Sequence, residues 1–196
     1  PGLGAAAVRQ AARVRVIVSA HDRLDPSRAR RGAGRARAAR VSERLVGLVS
    51  DTHGLLRPEA LAALRGVELI LHAGDVGAPA VLEELRALAP VVAVRGNKDR
   101  GPWAEALPQT EVAEIADALV YVIHDLAELD LDPAAAGFHA VVSGHSHRPK
   151  LERREGVLYV NPGSIGPRRF KLPVALALLR IAGRELDARL VELDVG

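Results

Sequence analysis

Residues 45–54 read LVGLVSDTHG, a short apolar and β-branched run, Leu45–Ser50, that ends abruptly in Asp51-Thr-His53-Gly. An apolar run of this length, bounded by a polar turn, is typical of a buried β-strand. Pro58–Arg65 follows and is typical of a helix that Pro opens at its first position. The stretch therefore predicts a strand, a tight polar turn and a crossover helix, which is the first unit of an α/β fold.

The same unit repeats further along the chain. Val67–Ala73 predicts a second buried strand that ends in Gly-Asp75, and Val91–Val94 predicts a third that ends in Arg-Gly-Asn97. Between them, Pro79–Ala89 has helical periodicity. Its predicted apolar face comprises Val81, Leu82, Leu85 and Leu88. Alternation of strands and helices implies right-handed crossovers and a parallel sheet covered by helices.

The second half of the chain contains mostly predicted strands. A short Ala-rich helical turn near Pro133–Gly137 is the one helical signal that we find among them. This half is therefore predicted to be antiparallel or mixed. The predicted strands are Leu119–Ile123, Ala140–Ser143, Val157–Val160, Val174–Ile181 and Ala188–Leu193.

The composition excludes several classes of protein. A chain of 196 residues, 48% hydrophobic, is long enough for one domain with a sizeable core. It has no Cys, which excludes disulfides, thiolate metal ligands and a cysteine nucleophile, and fits a reducing compartment. No apolar run reaches the ~18 residues that span a bilayer, and the first residues lack the pattern of a signal peptide. We therefore expect a cytoplasmic protein with no membrane partner.

The positive charge is concentrated in the first 40 residues. They carry ten Arg and two Asp, whereas residues 41–196 carry 17 Lys and Arg against 22 Asp and Glu. An Arg-rich stretch with almost nothing to bury is expected to be disordered. It could be a nucleic-acid or partner-binding tail or a transit peptide. We prefer a mis-assigned extension upstream of a start at Val41, so residues 41–196 are predicted to form a single domain.

Polar residues that bind metals follow successive predicted strands. The carboxyl ends of strands in an open α/β sheet converge on one crevice, so residues far apart in sequence can meet there. Mixed imidazole and carboxylate ligands suit Mn, Fe, Zn, Ni or Co rather than Ca. A carboxylate that bridges two cations, with further ligands on each side, describes a two-metal hydrolase. The seven candidate ligands are Asp51, His53, Asp75, Asn97, His124, His145 and His147.

Five blocks around these residues resemble the signature of calcineurin-like metallophosphoesterases. They are Asp51-Thr-His53, Gly74-Asp75, Gly96-Asn97-Lys98-Asp99, His124 and Gly144-His145-Ser-His147. The added Asn161-Pro-Gly-Ser164 resembles the small bacterial phosphodiesterase (YfcE-like) branch, which is related to the scaffold subunit of eukaryotic retromer. The resemblance covers residues 44–196 and implies an α/β fold, a four-layer αββα sandwich of two mixed β-sheets flanked by helices.

The resemblance also implies a ligand set and a mechanism. Asp51, His53 and His147 would hold one metal, Asn97, His124 and His145 a second, and Asp75 would bridge them. The implied reaction is hydrolysis of a small-molecule phosphate ester, most simply a diester, by a metal-bridging hydroxide. We expect two divalent ions, Mn²⁺ or Ni²⁺ first, with Zn²⁺, Fe²⁺, Co²⁺ or Mg²⁺ as alternatives. The implied catalytic residues are Asp75, Asn97, Lys98 and Asp99.

The sequence departs from the family pattern at two positions. Lys98 replaces a His that is thought to assist the leaving group, and a Lys of ordinary pKa donates a proton poorly near neutrality. Asp125 follows His124 where many relatives have Gly; it would either orient an imidazole or face solvent, and we favour solvent. Arg168 and Arg169 are candidate contacts for the substrate phosphate.

The sequence also admits functions other than diester hydrolysis. The fold could serve as a non-catalytic interaction scaffold, but complete ligand positions favour an enzyme. A phosphomonoesterase or nuclease is a further alternative, and the acidic balance of residues 41–196 argues against nucleic acid. His72 is expected to be packed rather than a ligand, and Trp103 either walls the cleft or covers the core. The oligomeric state is left open, with a homo-oligomer among the alternatives.

Overall fold

A computed structural model describes residues 13–15 and 43–195 of the chain, and its main feature is a pair of β-sheets. The five-stranded sheet contains the strand of the first strand–turn–helix unit. Its three predicted parallel strands pair in register, with Val46 beside Leu69 and Ile70 beside Val91. Two antiparallel strands from the end of the chain complete it. In spatial order its strands are β11 (Glu185–Glu192), β10 (Ala175–Ala182), β2 (Glu43–Val49), β3 (Leu69–His72) and β4 (Val91–Ala93).

The second sheet has six strands and is mixed. In spatial order its strands are β1 (Arg13–Arg15), β5 (Thr110–Ile115), β6 (Ala118–Ile123), β7 (Ala140–Val142), β9 (Val157–Asn161) and β8 (Lys150–Arg154). β6 and β7 pair in parallel, as do β7 and β9. The hairpins β5–β6 and β8–β9 are antiparallel.

The two sheets bury one continuous apolar core between their inner faces. Val46 and Leu48 of β2 point into this core, together with Val120 and Val122 of β6. The next residue of β2, Val49, points to the opposite face, because side chains alternate along a strand. The inner core has no aromatic side chain; it consists of Val, Leu, Ile and Ala, as the composition requires.

Helices cover the outer face of the five-stranded sheet. α1 (Pro58–Ala63) and α2 (Pro79–Arg86) both begin with Pro, and both pack on a second apolar cluster. The expected apolar face of α2 holds for Val81, Leu82 and Leu85, but the assignment of Leu88 is wrong. α2 ends at Arg86, two residues before Leu88, and Leu88 is 40% exposed.

The outer face of the six-stranded sheet has a thinner cover. A third apolar cluster there contains Tyr121, Ile123 and Val141. A 3₁₀ turn, Leu126–Glu128, and the turns that follow it to Phe138 pack on this cluster. The architecture is therefore the predicted sandwich of two mixed sheets between outer layers, one helical and one made largely of turns.

Three strands, β1, β5 and β8, and one α-helix were not predicted from the sequence. β5 reads TEVAEI and β8 reads KLERR, and in both the polar residues mask the apolar alternation. β8 lies at the edge of its sheet with most of its residues exposed, and charged side chains suit such an edge because they discourage pairing with other chains. The missed helix, α3 (Pro102–Glu105), is a single turn.

The predicted N-terminal extension lies mostly outside the described residues. Only the backbone of β1 is described, and it pairs in parallel with β5, with Arg13 beside Val112 and Arg15 beside Glu114. The assignment of residues 1–40 as a separate or mis-assigned segment stays a prediction. No helix within 13–15 and 43–195 is long and apolar enough to cross a membrane.

A chain shortened to begin at Val41 is predicted to fold and to keep its Tm within about 4 °C of the full chain. The reason is that, among the described residues, the truncation removes one three-residue strand pairing and no residue of the inner core, a loss on the order of 1 kcal/mol. Differential scanning calorimetry of both chains measures this. A fall in Tm well beyond that range would make residues 1–40 part of the domain.

Candidate metal centre

The structure brings the predicted ligands to one edge of the two sheets. Each follows the carboxyl end of a strand, and those ends meet because the strands concerned run parallel within each sheet. Asp51 and His53 follow β2, Asp75 follows β3, Asn97 follows β4, His124 follows β6, and His145 and His147 follow β7.

The first group of donor atoms converges on one point. His147 Nε2 lies 3.2 Å from Asp51 Oδ1 and 3.3 Å from His53 Nε2, and His53 Nε2 lies 3.8 Å from Asp51 Oδ1. Ligand atoms about 2.1 Å from one cation lie roughly 3.0–3.4 Å apart, depending on the coordination geometry. Two of the three observed separations fall in this range and the third is about 0.4 Å wider, so the three donor atoms converge on a point where they could hold a single ion.

Hydrogen bonding around Asp51 supports the same interpretation. Its Oδ2 accepts from the Ser50 hydroxyl at 2.7 Å and from the His145 N–H at 3.0 Å. Its Oδ1 is buried without any hydrogen-bond partner. A buried carboxylate oxygen without a partner costs free energy, and a cation held by Asp51, His53 and His147 would remove that cost.

The second group is built around His124 and Asp75. His124 Nδ1 donates to the Ala73 carbonyl at 2.7 Å, which leaves a bare lone pair on Nε2. That Nε2 atom is buried, has no hydrogen-bond partner and lies 3.5 Å from Asp75 Oδ2. Fixing the tautomer through the other ring nitrogen is how proteins prepare a histidine for a metal.

Asp75 lies between the two groups. Its Oδ1 accepts the Lys98 backbone N–H at 2.7 Å, which fixes the plane of the carboxylate. Its Oδ2 lies 3.5 Å from His124 Nε2 and 3.9 Å from His53 Nε2. One carboxylate thus faces a donor of each group, as a bridging ligand requires.

The two remaining predicted ligands lie on the open side of the site. The His145 side chain is 42% exposed, its Nε2 is 3.6 Å from Asp125 Oδ2, and its ring meets the His124 ring edge-on at 5.3 Å. Asn97 is exposed and borders a cleft of about 440 Å³ that His124 and Asp125 also line. Their role as ligands stays a prediction.

Asp125 combines the two roles considered from sequence. Its Oδ1 accepts the Ala127 N–H at 2.9 Å and so caps the 3₁₀ turn after β6. Its Oδ2 faces His145, although the carboxylate is partly open to solvent. It therefore shapes the turn that carries His124 while lying beside a second imidazole.

The pKa values show how strongly the groups of the site act on one another. Burial raises the pKa of Asp75, but the His124 imidazole and the Lys98 N–H outweigh it, and the pKa is lowered overall. Burial lowers the pKa of His53 more than the Asp75 and Asp51 carboxylates raise it. For His124 burial is outweighed by its interactions with Asp75 and the Ala73 carbonyl, and its pKa is raised. Bound cations would favour the ionised acids and the unprotonated imidazoles, so they would add to the shift at His53 and oppose the one at His124.

Backbone strain concentrates at the site. Eight non-glycine residues of the described chain have positive φ, and five of them are predicted ligands. Such conformations cost about 1–3 kcal/mol each and persist where the surrounding structure or a function demands them. The turns after β2, β3 and β7 are therefore shaped for the site. The five ligands are Asp51 (φ 55°), His53 (47°), Asp75 (53°), His145 (64°) and His147 (56°).

Glycines allow the turns to approach one another. A Cβ atom at Gly96 would overlap the backbone nitrogen and the carboxylate of Asp75. A Cβ at Gly144 would overlap the Ser50 hydroxyl and lie 2.8 Å from Asp51 Oδ2. Any larger residue at either position would displace a predicted ligand.

Polar side chains outside the predicted ligand set hold the ligand turns in place. Besides the Ser50 bond to Asp51, the Ser164 hydroxyl donates to the Asp51 carbonyl at 2.8 Å. Asn161 Nδ2 donates to the Gly144 carbonyl at 2.6 Å. Ser164 and Asn161 belong to the Asn-Pro-Gly-Ser turn, so that turn fastens two of the ligand loops.

His72 is packed, as expected, and locks the first two turns together. Its Nδ1 accepts the Gly74 N–H at 3.2 Å, so Nε2 carries the proton and donates to Thr52 Oγ1 at 2.9 Å. The Thr52 hydroxyl donates onward to the Val76 carbonyl at 2.9 Å. Burial lowers the pKa of His72 to about 4, so it is neutral at physiological pH.

Asp99 has a different position from the one its catalytic assignment suggests. It is buried, with Oδ1 accepting the Gly77 N–H and Oδ2 accepting the Gly96 N–H, both at 2.8 Å. Both oxygens are thus bonded to backbone amides. Asp99 fastens the turn after β4 to the turn after β3 and thereby places Asn97 and Lys98.

Arg169, Arg168 and Trp103 were also candidates, and they have three different positions. Arg169 Nη2 is 3.3 Å from His53 Nε2, so its guanidinium reaches the first group of donors. Arg168 lines a separate cleft of about 500 Å³. Trp103 is half-buried against the outer core of the five-stranded sheet, so it covers the core.

Comparison with known proteins gives a consistent result. The sequence model of the calcineurin-like phosphoesterase superfamily domain matches residues 45–184. A probable metallophosphoesterase from Methanothermobacter thermautotrophicus is 40% identical over 159 residues, covering 75% of this chain and 91% of that protein. A phosphodiesterase from Methanocaldococcus jannaschii is 28% identical over 137 residues, 60% of this chain and 82% of that protein. The structure of Vacuolar Protein Sorting 29 from Cryptosporidium parvum shares the fold, with a TM-score of 0.63, 19% identity and coverage of 77% and 98%.

Asp75→Asn is predicted to lower the bound metal from about two ions per chain to one or fewer, because an amide offers one weak donor where the carboxylate offers two. Elemental analysis after dialysis against Mn²⁺ measures this. Asp117→Asn, at an exposed turn between β5 and β6, is the matched control and should keep the wild-type content. Two ions per chain in the Asp75 variant would refute the bridging role.

Proposed function

The chain belongs to the calcineurin-like phosphoesterase superfamily and is a metal-dependent phosphoesterase, and from this premise we propose that it is a two-metal phosphodiesterase whose cations Asp75 bridges. The observation that carries the proposal is a pair of buried donor atoms without partners, Asp51 Oδ1 and His124 Nε2. They lie in two neighbouring clusters of donor atoms, Asp51–His53–His147 and Asp51–Asp75–His124. The Asp75 carboxylate faces an imidazole of each cluster, His53 and His124. One group alone would support a single ion, and both together support two.

The protein's contribution to this reaction is a fixed array of ligands. Two divalent cations, when bound, supply Lewis acidity and lower the pKa of coordinated water. Asp51, His53 and His147 would hold one cation, and His124, with the exposed Asn97 and His145, would hold the other. The Lys98 N–H holds the bridging carboxylate in orientation, and the Asp51 carboxylate is held by Ser50 and the His145 N–H. These contacts fix the orientation of both carboxylates.

The groups around the site favour a diester over an alkyl monoester. A diester with a good leaving group needs little protonation of the departing oxygen, whereas an alkoxide needs more. The described residues place no neutral imidazole beyond the ligand set at the open side of the cleft. Lys98, next to Asn97 in the chain, is exposed, and a cation can offset negative charge on a departing oxygen. The relative from Methanocaldococcus jannaschii is named a phosphodiesterase.

The scaffold alternative has less support. A protein that used this edge only as an interaction surface would not need buried acids, a fixed His124 tautomer and five strained ligand residues. Such features are costly unless a ligand compensates for them.

Activation by different metals tests the proposal directly. Protein stripped with chelator and reloaded with Mn²⁺ or Ni²⁺ should hydrolyse bis(p-nitrophenyl) phosphate, because the donors mix imidazole with carboxylate. Ca²⁺, which prefers six to eight oxygen ligands, should activate poorly. Initial rates against metal concentration measure this, and an enzyme activated by Ca²⁺ alone would contradict the proposal.

Lys98→His is predicted to raise alkyl monoester hydrolysis relative to diester hydrolysis by about tenfold or more, the lower range of general acid catalysis. A His near the departing oxygen can donate a proton near neutral pH, whereas Lys of ordinary pKa cannot. The measurement is kcat/KM for both ester classes in wild type and variant. Lys98→Arg keeps the charge without a titrating donor and is the control. An unchanged ratio in Lys98→His would show that this position does not set the substrate class.

A further inference from the structure

Residues 168–171, Arg-Arg-Phe-Lys, form an exposed segment beside the metal centre that the proposed chemistry does not use in full; we call it the aromatic-basic loop. Phe170 is 94% exposed, far more than the two other exposed large apolar side chains of the described residues, Leu55 at 38% and Leu88 at 40%. A fully solvated aromatic ring that lines a surface cleft is available to a ligand.

Phe170 is also strained. Its φ is 52°, a conformation that a bulky residue without a special role avoids. Glycine, the usual residue for such a conformation, would also avoid exposing a ring to water. Exposure and strain at the same residue therefore both point to a role for the ring.

The loop is fastened to the metal centre at its start. The Ile165 N–H donates to the Ser50 carbonyl, and Arg57 Nε donates to the Gly166 carbonyl, both at 3.3 Å. Gly166 packs so closely on Thr52 that a Cβ there would overlap the Thr52 carbonyl. The aromatic-basic loop therefore begins from an anchored segment and cannot drift freely from the ligand turns.

Neighbouring residues of the loop face the site and the adjacent cleft. Arg169 reaches His53, while Arg168, Phe170 and Lys171 line the cleft of about 500 Å³. Because consecutive Cα atoms are about 3.8 Å apart, the side chain that reaches His53 and the exposed ring start from adjacent positions on the backbone. Glu192 is the one acidic residue that lines this cleft. The surface thus offers a flat aromatic face next to cations.

We propose that the aromatic-basic loop selects nucleoside phosphodiesters, with the base stacked on Phe170 and the phosphate held toward the metals by Arg169. Each nucleobase has a planar face that stacks on aromatic side chains, and guanidinium pairs with phosphate oxygens. The ligand is a small nucleotide ester rather than a long nucleic acid, because residues 41–196 carry more acidic than basic side chains. This inference rests on the proposed function and specifies its substrate.

The test compares two diesters that release the same p-nitrophenolate but differ in the group that stays behind: thymidine 5′-(p-nitrophenyl) phosphate and methyl p-nitrophenyl phosphate. Phe170→Ala in the full, metal-loaded chain should lower the ratio of kcat/KM, thymidine ester over methyl ester, by about tenfold through KM, in the range of one stacked base. Phe170→Tyr should keep the ratio near wild type. Leu88→Ala, which removes an exposed apolar side chain just before β4, at the opposite end of the strands, is the control and should change neither ester.

The outcomes separate the inference from the proposed function. An unchanged ratio in Phe170→Ala, or an equal fall for both esters, would overturn the inference and leave the phosphodiesterase intact. Failure of wild type to hydrolyse either ester would refute the proposed function. In that case the inference is tested by itself through the dissociation constants of thymidine 5′-monophosphate and methyl phosphate, measured by calorimetry. Phe170→Ala must weaken the binding of thymidine 5′-monophosphate more than the binding of methyl phosphate.

Discussion

The structure depends on the interaction of two buried aspartates with the histidines around them. Asp51 and Asp75 lie almost completely out of solvent, and charged groups in that position require compensation. Backbone N–H groups satisfy one oxygen of each, and the other oxygen of each faces imidazole nitrogens. The ends of the parallel strands, the left-handed turns and the close glycine contacts all serve to hold these groups within a few ångströms of one another.

Regular hydrophobic patterns made much of this predictable from sequence. β2, β3 and β4 are short apolar runs, and each is followed by a polar turn. The three turns contain Asp51, Asp75 and Asn97 respectively, so both the strands and the side chains at their ends could be inferred. Where charges interrupt the pattern, as in β5 and β8, the strands were missed because the packing that stabilises them comes from neighbouring strands. The position of Leu88 was wrong because the period of α2 says little about where the last turn ends.

The details of the site were less predictable because they depend on hydrogen bonds between distant segments. Ser50, Thr52 and Ser164 are ordinary hydroxyl residues in sequence, yet each bonds to a ligand turn. Lys98 was considered for its side chain, whereas its backbone N–H is what orients Asp75. Asp99 belongs to a recognisable motif, but only the fold shows that both of its oxygens are bonded to amides. A motif thus predicts which residues meet and leaves open which atom of each takes part.

Burial divides the centre into two parts with different properties. Asp51, Asp75, His124 and His147 are buried, and the side chains of the first three are hydrogen-bonded to backbone groups near the strand ends, so their geometry is tied to the core. Asn97, His145 and the segment that carries Phe170 are exposed, and changes there alter few core contacts. Interactions in the buried part are strong because the local dielectric constant is low, but for the same reason a substitution there threatens folding. Residues at the open rim can vary without that cost, so the buried part is suited to constant chemistry and the rim to the choice of substrate.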